Sequence, residues 1–321
     1  MKKIKNLLKG SPIAMVIAGV LIAGVVSAAL LAVYVTMIGT GNVEQAVVFG
    51  NGETSKTYDI GDSPAIAGNT YTQSYNLLNR SETTAPIEFI TNQCIVGGGY
   101  CGDSNHDELG VETSYWSTVE LENKNTSSWQ AYTGDNIKGI LTYELTAPTF
   151  NYEFEATELT ANMDYFLIYY ADKQDRFVNW GGDNPGALIA TFTTDSSGNI
   201  PTTTGSINLA MNLPHADDWN GTADANYCGN ANGFDSYDLC RGAKIWLVPF
   251  TEYDSGTKTV TWGDPGSYLY ETDMITYDDT DTDGEALYLG KGLLNFFVKN
   301  VLAINLAPGE YKVKTEVQPV Q

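Results

Sequence analysis

The sequence contains almost no histidine, with His106 and His215 as its two copies among 321 residues. It has no H-E-x-x-H pair, which excludes a zinc protease of that type, and it has neither a G-x-S-x-G turn nor a P-loop. Because the chain carries 39 aspartates and glutamates, a glycosidase-like pair of carboxylates is easy to find and identifies nothing. We therefore expect a protein that is not an enzyme.

Positive charge is also scarce. The 17 lysines and arginines are set against 39 acidic residues, which gives a formal net charge of -22. This balance disfavours nucleic acid as a partner, since contacts with phosphates need a basic face. An acidic surface favours solubility and attracts cations.

The chain has four cysteines, and an even number in an exported protein favours disulfides. The short separations favour the pairs Cys94–Cys101 and Cys228–Cys240, each of which would close a loop rich in glycine or asparagine. The two other pairings stay open on the sequence alone, and so does metal ligation.

A long run without any charge, residues 11–39, follows a lysine-rich start. The run exceeds the roughly 20 apolar residues that a spanning helix needs, and the positive-inside rule would keep the lysines in the cytoplasm. Val26-Ser27-Ala28 is also the small-x-small triplet of a signal-peptidase site. The run is therefore either a retained membrane anchor or a signal that is cleaved after Ala28. Both interpretations export the rest of the chain.

The run changes character at Ala29. Glycine, alanine, leucine and isoleucine dominate before this point, and β-branched residues become frequent after it. We therefore interpret residues 29–41 as a strand that needs a sheet once a cleavage has freed it. Its apolar positions are Leu30, Leu31, Val33, Val35, Met37 and Ile38.

From about Gly41 onward, short segments of alternating polarity are separated by turn residues, and no long amphipathic helix is visible. Residues 165–170 are continuously apolar, which is typical of a strand covered on both faces. Residues 244–250 are predicted to form a further buried strand that ends at Pro249. Residues 94–136 are predicted to be rich in loops. Inward-facing positions are predicted at Leu141, Tyr143, Leu145, Tyr152, Phe154 and Ala156.

Two turns predict hairpins: Asn51-Gly52, and the Asp-Ser-Ser-Gly-Asn loop at residues 195–199. A strand is preferred over a helix for residues 289–302. We expect an all-β protein, a β-sandwich of jelly-roll type, preceded by an N-terminal signal or transmembrane helix. The predicted divisions are a signal or anchor (1–28), a candidate donor strand (29–41) and an extracellular sandwich (42–321).

One acidic loop resembles the first half of a calcium-binding loop, because carboxylates alternate and Gly284 occupies the sixth position. The twelfth position is Gly290 rather than glutamate, and no helices are predicted beside it. The loop is therefore either stabilised by calcium, the one cofactor that the sequence suggests, or a plain solvated turn. Its candidate ligands are Asp279, Asp281, Asp283 and Glu285.

Loop aromatics and sequons complete the candidate sites. Trp180 and Trp219 lie in polar stretches, where they would either stack on a sugar or pack at the edge of the core. Three N-x-S/T sequons that an exported chain could use begin at Asn79, Asn125 and Asn220.

The junction at residues 27–53 and the segment at 66–89 resemble the secreted TasA/camelysin-like proteins and the archaeal bundling pilins. The second segment carries Gly68, Asn69 and Tyr71, followed by Leu77 and Asn79. The closing stretch 305–317 resembles the last-strand turn of such exported sandwiches. Camelysin is classed as a protease, but this chain has no matching metal motif, so no activity is carried over.

That resemblance implies donor-strand assembly, in which the first strand of one mature subunit fills an incomplete sheet in the next. Such contacts are head-to-tail and form open filaments. We therefore expect a structural subunit of a surface filament, pilus or biofilm fibre whose partners are copies of itself and, during export, the membrane. The alternative is a membrane-anchored surface protein that binds carbohydrate or another ligand, and a secreted hydrolase is a third hypothesis.

Overall fold

The computed structural model describes residues 46–60, 65–80, 85–95, 110–128, 130–132, 134–170, 186–209, 213, 244–280, 287–289, 292–306 and 311–319. Residues 46–321 form one compact unit. The described ranges consist of antiparallel strands and contain no α-helix, which confirms the all-β expectation. The predicted signal or transmembrane helix and the candidate donor strand lie outside the described residues.

The strands are named in chain order. They are β1 (Val47–Phe49), β2 (Ser55–Asp59), β3 (Thr70–Asn79), β4 (Ala85–Ile95), β5 (Val111–Asn125), β6 (Gln130–Ala131), β7 (Lys138–Glu144), β8 (Phe150–Thr157), β9 (Asp164–Tyr170), β10 (Gly186–Thr193), β11 (Ile200–Ile207), β12 (Lys244–Pro249), β13 (Tyr253–Asp254), β14 (Thr259–Val260), β15 (Leu269–Glu271), β16 (Leu287–Leu289), β17 (Gly292–Leu302) and β18 (Tyr311–Pro319).

Two large sheets contain most of these strands. The first runs β1-β3-β17-β5-β15-β12-β9-β10, and β7, β8 and β11 continue it from the other edge of β5. The second has the order β16-β4-β18-β2. The long strand β5 pairs with β17 through residues 111–117 and with β7 through residues 116–122, so it joins two halves of the first sheet.

The half that contains β3 and β17 packs its inner face against the second sheet. The ring of Phe89 in β4 stacks on Tyr115 in β5, with centroids 4.2 Å apart, and lies 5.3 Å from Phe296 in β17. Val298 and Val313 are fully buried on the inner faces of β17 and β18. This half is therefore two facing layers of strands held by aromatic and branched side chains.

In the other half, β8 faces β10, and the rings of Phe154 and Phe192 stack at 4.9 Å. Strand β9 is buried on both faces, as its continuous apolar sequence predicted. Leu167 belongs to the main core, whereas Tyr170 lies on the other face and stacks on Trp246 of β12 at 3.6 Å. Strand β12 is likewise covered on both faces. All six residues that were predicted to face inward are buried: five lie in β7 and β8, and the sixth is Leu145, which follows β7.

Both predicted hairpins are wrong in their strand pairing, although both turns are present. The amide of Gly52 donates to the carbonyl of Phe49 at 2.6 Å, and that of Asp195 donates to Asn199 at 2.8 Å. However, β1 pairs with β3 while β2 pairs with β18, and β10 pairs with β9 while β11 pairs with β8. Turn residues fix where the chain reverses, but each strand pairs with the neighbour that buries its apolar face.

The prediction that residues 94–136 are mainly loop is also wrong for β5, which occupies Val111–Asn125. Its inward residues include Val111, Val119 and Leu121, which alternate with polar neighbours. Glycine and asparagine in the preceding segment obscured this period-2 pattern. Strand β17 confirms the preference for a strand over a helix at residues 289–302.

Candidate functional site at an open sheet edge

Strand β3 has one fully paired edge and one nearly open edge. On one side, β17 pairs with β3 from Thr70 to Asn79. On the other side, β1 covers only Leu77–Asn79. The chain leaves this position at Gly50, whose amide donates to the carbonyl of Asn76 at 3.0 Å, and it then turns into β2 of the second sheet. In the described part of the chain no strand pairs with this edge of β3 from residue 70 to residue 75. We call this vacant strand position the open row.

Backbone groups of β3 point into the open row. The amide of Arg80 donates to Ala46 at 2.8 Å, and the carbonyl of Asn76 accepts from Gly50, so even-numbered residues direct their peptide groups towards β1. In an antiparallel strand this direction alternates from one residue to the next. The N–H and C=O groups of Thr70, Thr72 and Ser74 therefore face the open row and are positioned to pair with an added strand.

The open edge of β3 lacks the features that usually prevent pairing between sheet edges. Charged side chains, proline and bulges discourage such pairing. The stretch Thr70–Asn76 contains no charge and no proline, and its register with β17 is unbroken. Other edges in the described ranges do carry such features: Lys56 in β2, Glu88 in β4, Glu112 in β5, a bulge in β10, and Pro201 with a bulge in β11.

Half-buried aromatic rings line the core side of the open row. The ring of Tyr75 lies 5.8 Å from Phe49 and 5.7 Å from Phe296. Tyr71 packs against a second cluster that includes Leu302 and Val313. A depression of about 410 Å³ lies where β1 ends, and Phe49, Tyr75 and Phe296 contribute to its lining. An added strand with apolar side chains on one face would cover these rings.

The predicted donor residues Leu30, Leu31, Val33, Val35, Met37 and Ile38 lie outside the described residues. The described chain begins at Ala46, which is paired with Arg80. Ala46 is therefore at the opposite end of β3 from Thr70. A strand that continued straight back from Ala46 would move away from the open row of its own subunit.

The predicted calcium loop is described only at its beginning. Asp279 is buried, with 5% of its surface exposed. Asp281, Asp283 and Glu285 lie outside the described residues. Among the residues that the structure describes, no three histidine, cysteine, aspartate or glutamate side chains form a group that could hold a metal ion.

Of the four cysteines, Cys94 lies in β4, where its backbone is opposite Lys312 of β18. Cys101, Cys228 and Cys240 lie outside the described residues, as do Trp180 and Trp219. The disulfide pairing and the sugar-stacking hypothesis stay predictions.

The sequons differ in accessibility. Asn79 is 1% exposed, and its Nδ2 atom, which would carry a glycan, donates to the carbonyl of Leu289 at 2.9 Å. The folded domain leaves no room for a sugar there, so we do not carry Asn79 forward as a glycosylation site. Asn125 lies at the end of β5 in a turn, where its Oδ1 atom accepts from the amide of Ser127 at 2.9 Å. Asn220 lies outside the described residues.

A buried carboxyl group was not anticipated from the sequence. Glu271 ends β15, and burial raises the pKa of its side chain to about 7. Lys124 donates to the backbone carbonyl of Glu271 at 2.8 Å, and the charges of Lys124 and Lys244 lower this pKa in part. The Nε1 atom of Trp246 also favours the charged form, although the geometry falls short of a hydrogen bond. Among the described residues, the side chains that act on this carboxyl group are those of Lys124, Lys244 and Trp246, so we assign it no chemistry.

The open row was also missed from the sequence. The uncharged run Thr70–Asn76 was the available signal, but it indicates an exposed edge only once the partners of β3 are known.

In the described ranges no helix is long and apolar enough to cross a membrane. No protein-family model, curated protein or solved structure matches the chain.

Proposed function

We propose that this protein is the structural subunit of an extracellular surface filament that assembles by donor-strand complementation. Residues 29–41 of one subunit would occupy the open row of the next. The observation that carries the proposal is the edge of β3 at Thr70, Thr72 and Ser74, whose peptide groups point to a position that no strand of the described ranges occupies. The finer architecture we propose for the domain is a jelly-roll-like sandwich in which this row is the incomplete one.

The candidate donor has the pattern that the row requires. A strand through Leu30–Ile38 would place Leu31, Val33, Val35 and Met37 on one face. The other face would carry the more polar Tyr34 and Thr36 at its centre, between Leu30 and Ala32 on one side and Ile38 on the other. The uniformly apolar face would cover Tyr71 and Tyr75, and the other face would meet solvent. The open stretch of β3 is ~20 Å long, and six or seven donor residues would fill it.

The direction in which the chain runs favours a donor strand from another subunit over the subunit's own residues 29–41 as the occupant of the open row. Ala46 lies beside Arg80, and β1 already occupies the row between this point and Gly50. The chain's own residues 29–41 would have to reverse direction and pass β1 to reach Thr72. A strand from another subunit meets no such obstacle, and the resulting contact is head-to-tail, which generates an open filament.

The N-terminus of the native protein tests the cleavage on which assembly depends. We expect sequencing to find Ala29 or a residue close to it, because only a freed segment can leave the membrane and enter another subunit. Retention of Met1 or Lys2 would contradict the cleaved strand and favour the membrane-anchored alternative.

Peptide binding tests the row itself. A chain that lacks residues 1–41 is expected to be monomeric, and a peptide of residues 29–41 should bind it with 1:1 stoichiometry. At a peptide concentration of 100 Kd, binding adds about 2.7 kcal/mol of stability, which corresponds to a rise in Tm of roughly 5–10 °C. A peptide with Val33→Asp and Val35→Asp is the matched control and should leave Tm unchanged. Filament formation by the truncated chain, or equal shifts with both peptides, would contradict the proposal.

A further inference from the structure

The open row is closed at one end and free at the other. At the closed end, Gly50 and Phe49 occupy the row beside Asn76 and Leu77. At the free end, in the described part of the chain, nothing continues the row past Thr70. A donor strand has two unequal ends as well, because its cleaved N-terminus simply stops, whereas its C-terminal side continues into the donor's own domain.

This inference rests on the proposed function. The unequal ends of the open row and of the donor strand together fix the direction in which the donor runs. If the donor ran parallel to β3, its continuing chain would collide with β1 at Gly50. If it runs antiparallel to β3, its free N-terminus stops near Asn76 and its continuing chain leaves freely beyond Thr70. The domain of the donor subunit must then lie against the Thr70 end of the acceptor.

The Thr70 end carries exposed apolar side chains. Ile304 is 88% exposed and Ile66 is 62% exposed. They belong to two turns that lie side by side, since the amide of Gly68 donates to Leu302 and that of Leu302 donates to Asn69, each at 3.0 Å. Val301, which is opposite Thr70 in the β3–β17 pair, is also exposed. We call Ile66, Val301 and Ile304 the terminal patch.

The opposite end of the same strand pair presents another exposed leucine. Leu293 is 51% exposed and lies opposite Leu78, close to the point where Ala46 joins β1. Four of the six large apolar side chains that are exposed in the described ranges therefore lie at the two ends of β3 and β17; the other two are Tyr132 and Phe250. Burial of a side chain as exposed as that of Ile304 would contribute to association.

We propose that the terminal patch is a second contact of the assembly, which binds the Ala46 end of the donor subunit, including Leu293, while that subunit's strand lies antiparallel to β3. Donor-strand insertion then brings together two apolar surfaces that are otherwise exposed to solvent. The contact is heterologous, with different surfaces on the two subunits, as a filament requires.

The test compares substitutions in the full mature chain. Ile66→Ser with Ile304→Asp, and separately Leu293→Ser, should each raise the critical concentration for assembly at least tenfold in a sedimentation assay. Tyr132→Ser, at a residue 47% exposed in the β5–β6 region, is the matched control and should leave the critical concentration unchanged. An unchanged critical concentration in the first two variants, or an equal rise in the control, overturns the proposed contact.

A second arm separates this contact from the row. The 29–41 peptide, added to each mature chain, should inhibit assembly with the same half-inhibitory concentration in the patch variants and in the unsubstituted chain. Inhibition that weakens in the variants shows that they damage the row, and it overturns an independent patch. Failure of the peptide to inhibit even the unsubstituted chain counts against donor-strand assembly itself.

A photoreactive phenylalanine analogue in place of Thr70 tests the direction. In assembled filaments it should cross-link to the C-terminal part of the donor, near residues 36–41 of another subunit. Cross-links near Leu30 would show a parallel donor and overturn the placement of the donor domain at the terminal patch.

Discussion

We expect Thr72→Pro to abolish the proposed filament assembly and to leave the domain folded. The side chain of Thr72 faces solvent, and its N–H group points into the open row rather than towards β17. Proline removes this N–H group and places its ring where an added strand would pair. Proline is tolerated on a sheet edge when the lost N–H group faces away from the neighbouring strand. We therefore expect sedimentation to find monomers, with far-ultraviolet circular dichroism unchanged.

Two neighbouring substitutions isolate the backbone effect. Thr72→Ala keeps the N–H group and should assemble like the unsubstituted chain. Gln73→Pro removes an N–H group that points to β17, so it should destabilise the domain itself, by about 3 kcal/mol or more. Normal filaments from Thr72→Pro would show that the open edge of β3 is not the docking position.

Sequence reasoning located the strands better than their partners. The alternation in β7 and β8 identified Tyr143 and Phe154 as buried, and these strands do form a hairpin. The loop at Asp195–Asn199 has the same local signals, yet β10 pairs with β9 and β11 pairs with β8. Phe192 and Phe154 stack on each other. Partner choice is set by burial among distant segments, which a local pattern does not report.

Only one half of the proposed site has a local signal in the sequence. The donor strand, which stays a prediction, was inferred from the apolar and β-branched residues of Leu31–Met37 that follow a small-residue triplet. The acceptor is not local, since the open row exists because the chain leaves β3 at Gly50 and crosses to the second sheet. The polar sequence of Thr70–Tyr75 would be typical of many exposed strands. Only the pairing of β1 with Leu77–Asn79 distinguishes it as an incomplete row.

The burial of the Glu271 carboxyl group could not be predicted from the sequence either. Glu271 follows Leu269 and Tyr270 in a strand that alternates between the two cores, and acidic residues are common throughout the chain. Its carboxyl Oε2 atom is inaccessible and has no hydrogen-bond partner in the described part of the chain. A glutamate of this kind reduces stability when it is charged.

Glu271→Gln should therefore stabilise the domain at pH 8. The folded-state pKa of about 7 lies above the value of ~4.3 expected in the unfolded chain. Below ~4.3 both states hold the proton, so the group makes no difference there. As the pH rises from ~4.3 to about 7, the unfolded state releases the proton first and stability falls. The loss levels off above pH 7 at roughly 3–4 kcal/mol, since a difference of one pKa unit corresponds to about 1.4 kcal/mol.

Urea unfolding at a series of pH values gives the free energy of unfolding of the variant and of the unsubstituted chain. The difference between the two reports Glu271 alone, because the other carboxylates titrate alike in both proteins. We expect almost no difference near pH 4 and about 3–4 kcal/mol in favour of Glu271→Gln at pH 8. Glu88→Gln, at an exposed glutamate of β4, is the control and should show little difference across the range. If Glu271→Gln is the less stable protein at pH 8, the charged carboxylate is held by Lys124, Lys244 and Trp246 strongly enough to outweigh its burial. The group would then be an anchor between β5, β12 and β15 rather than a weak point of the core.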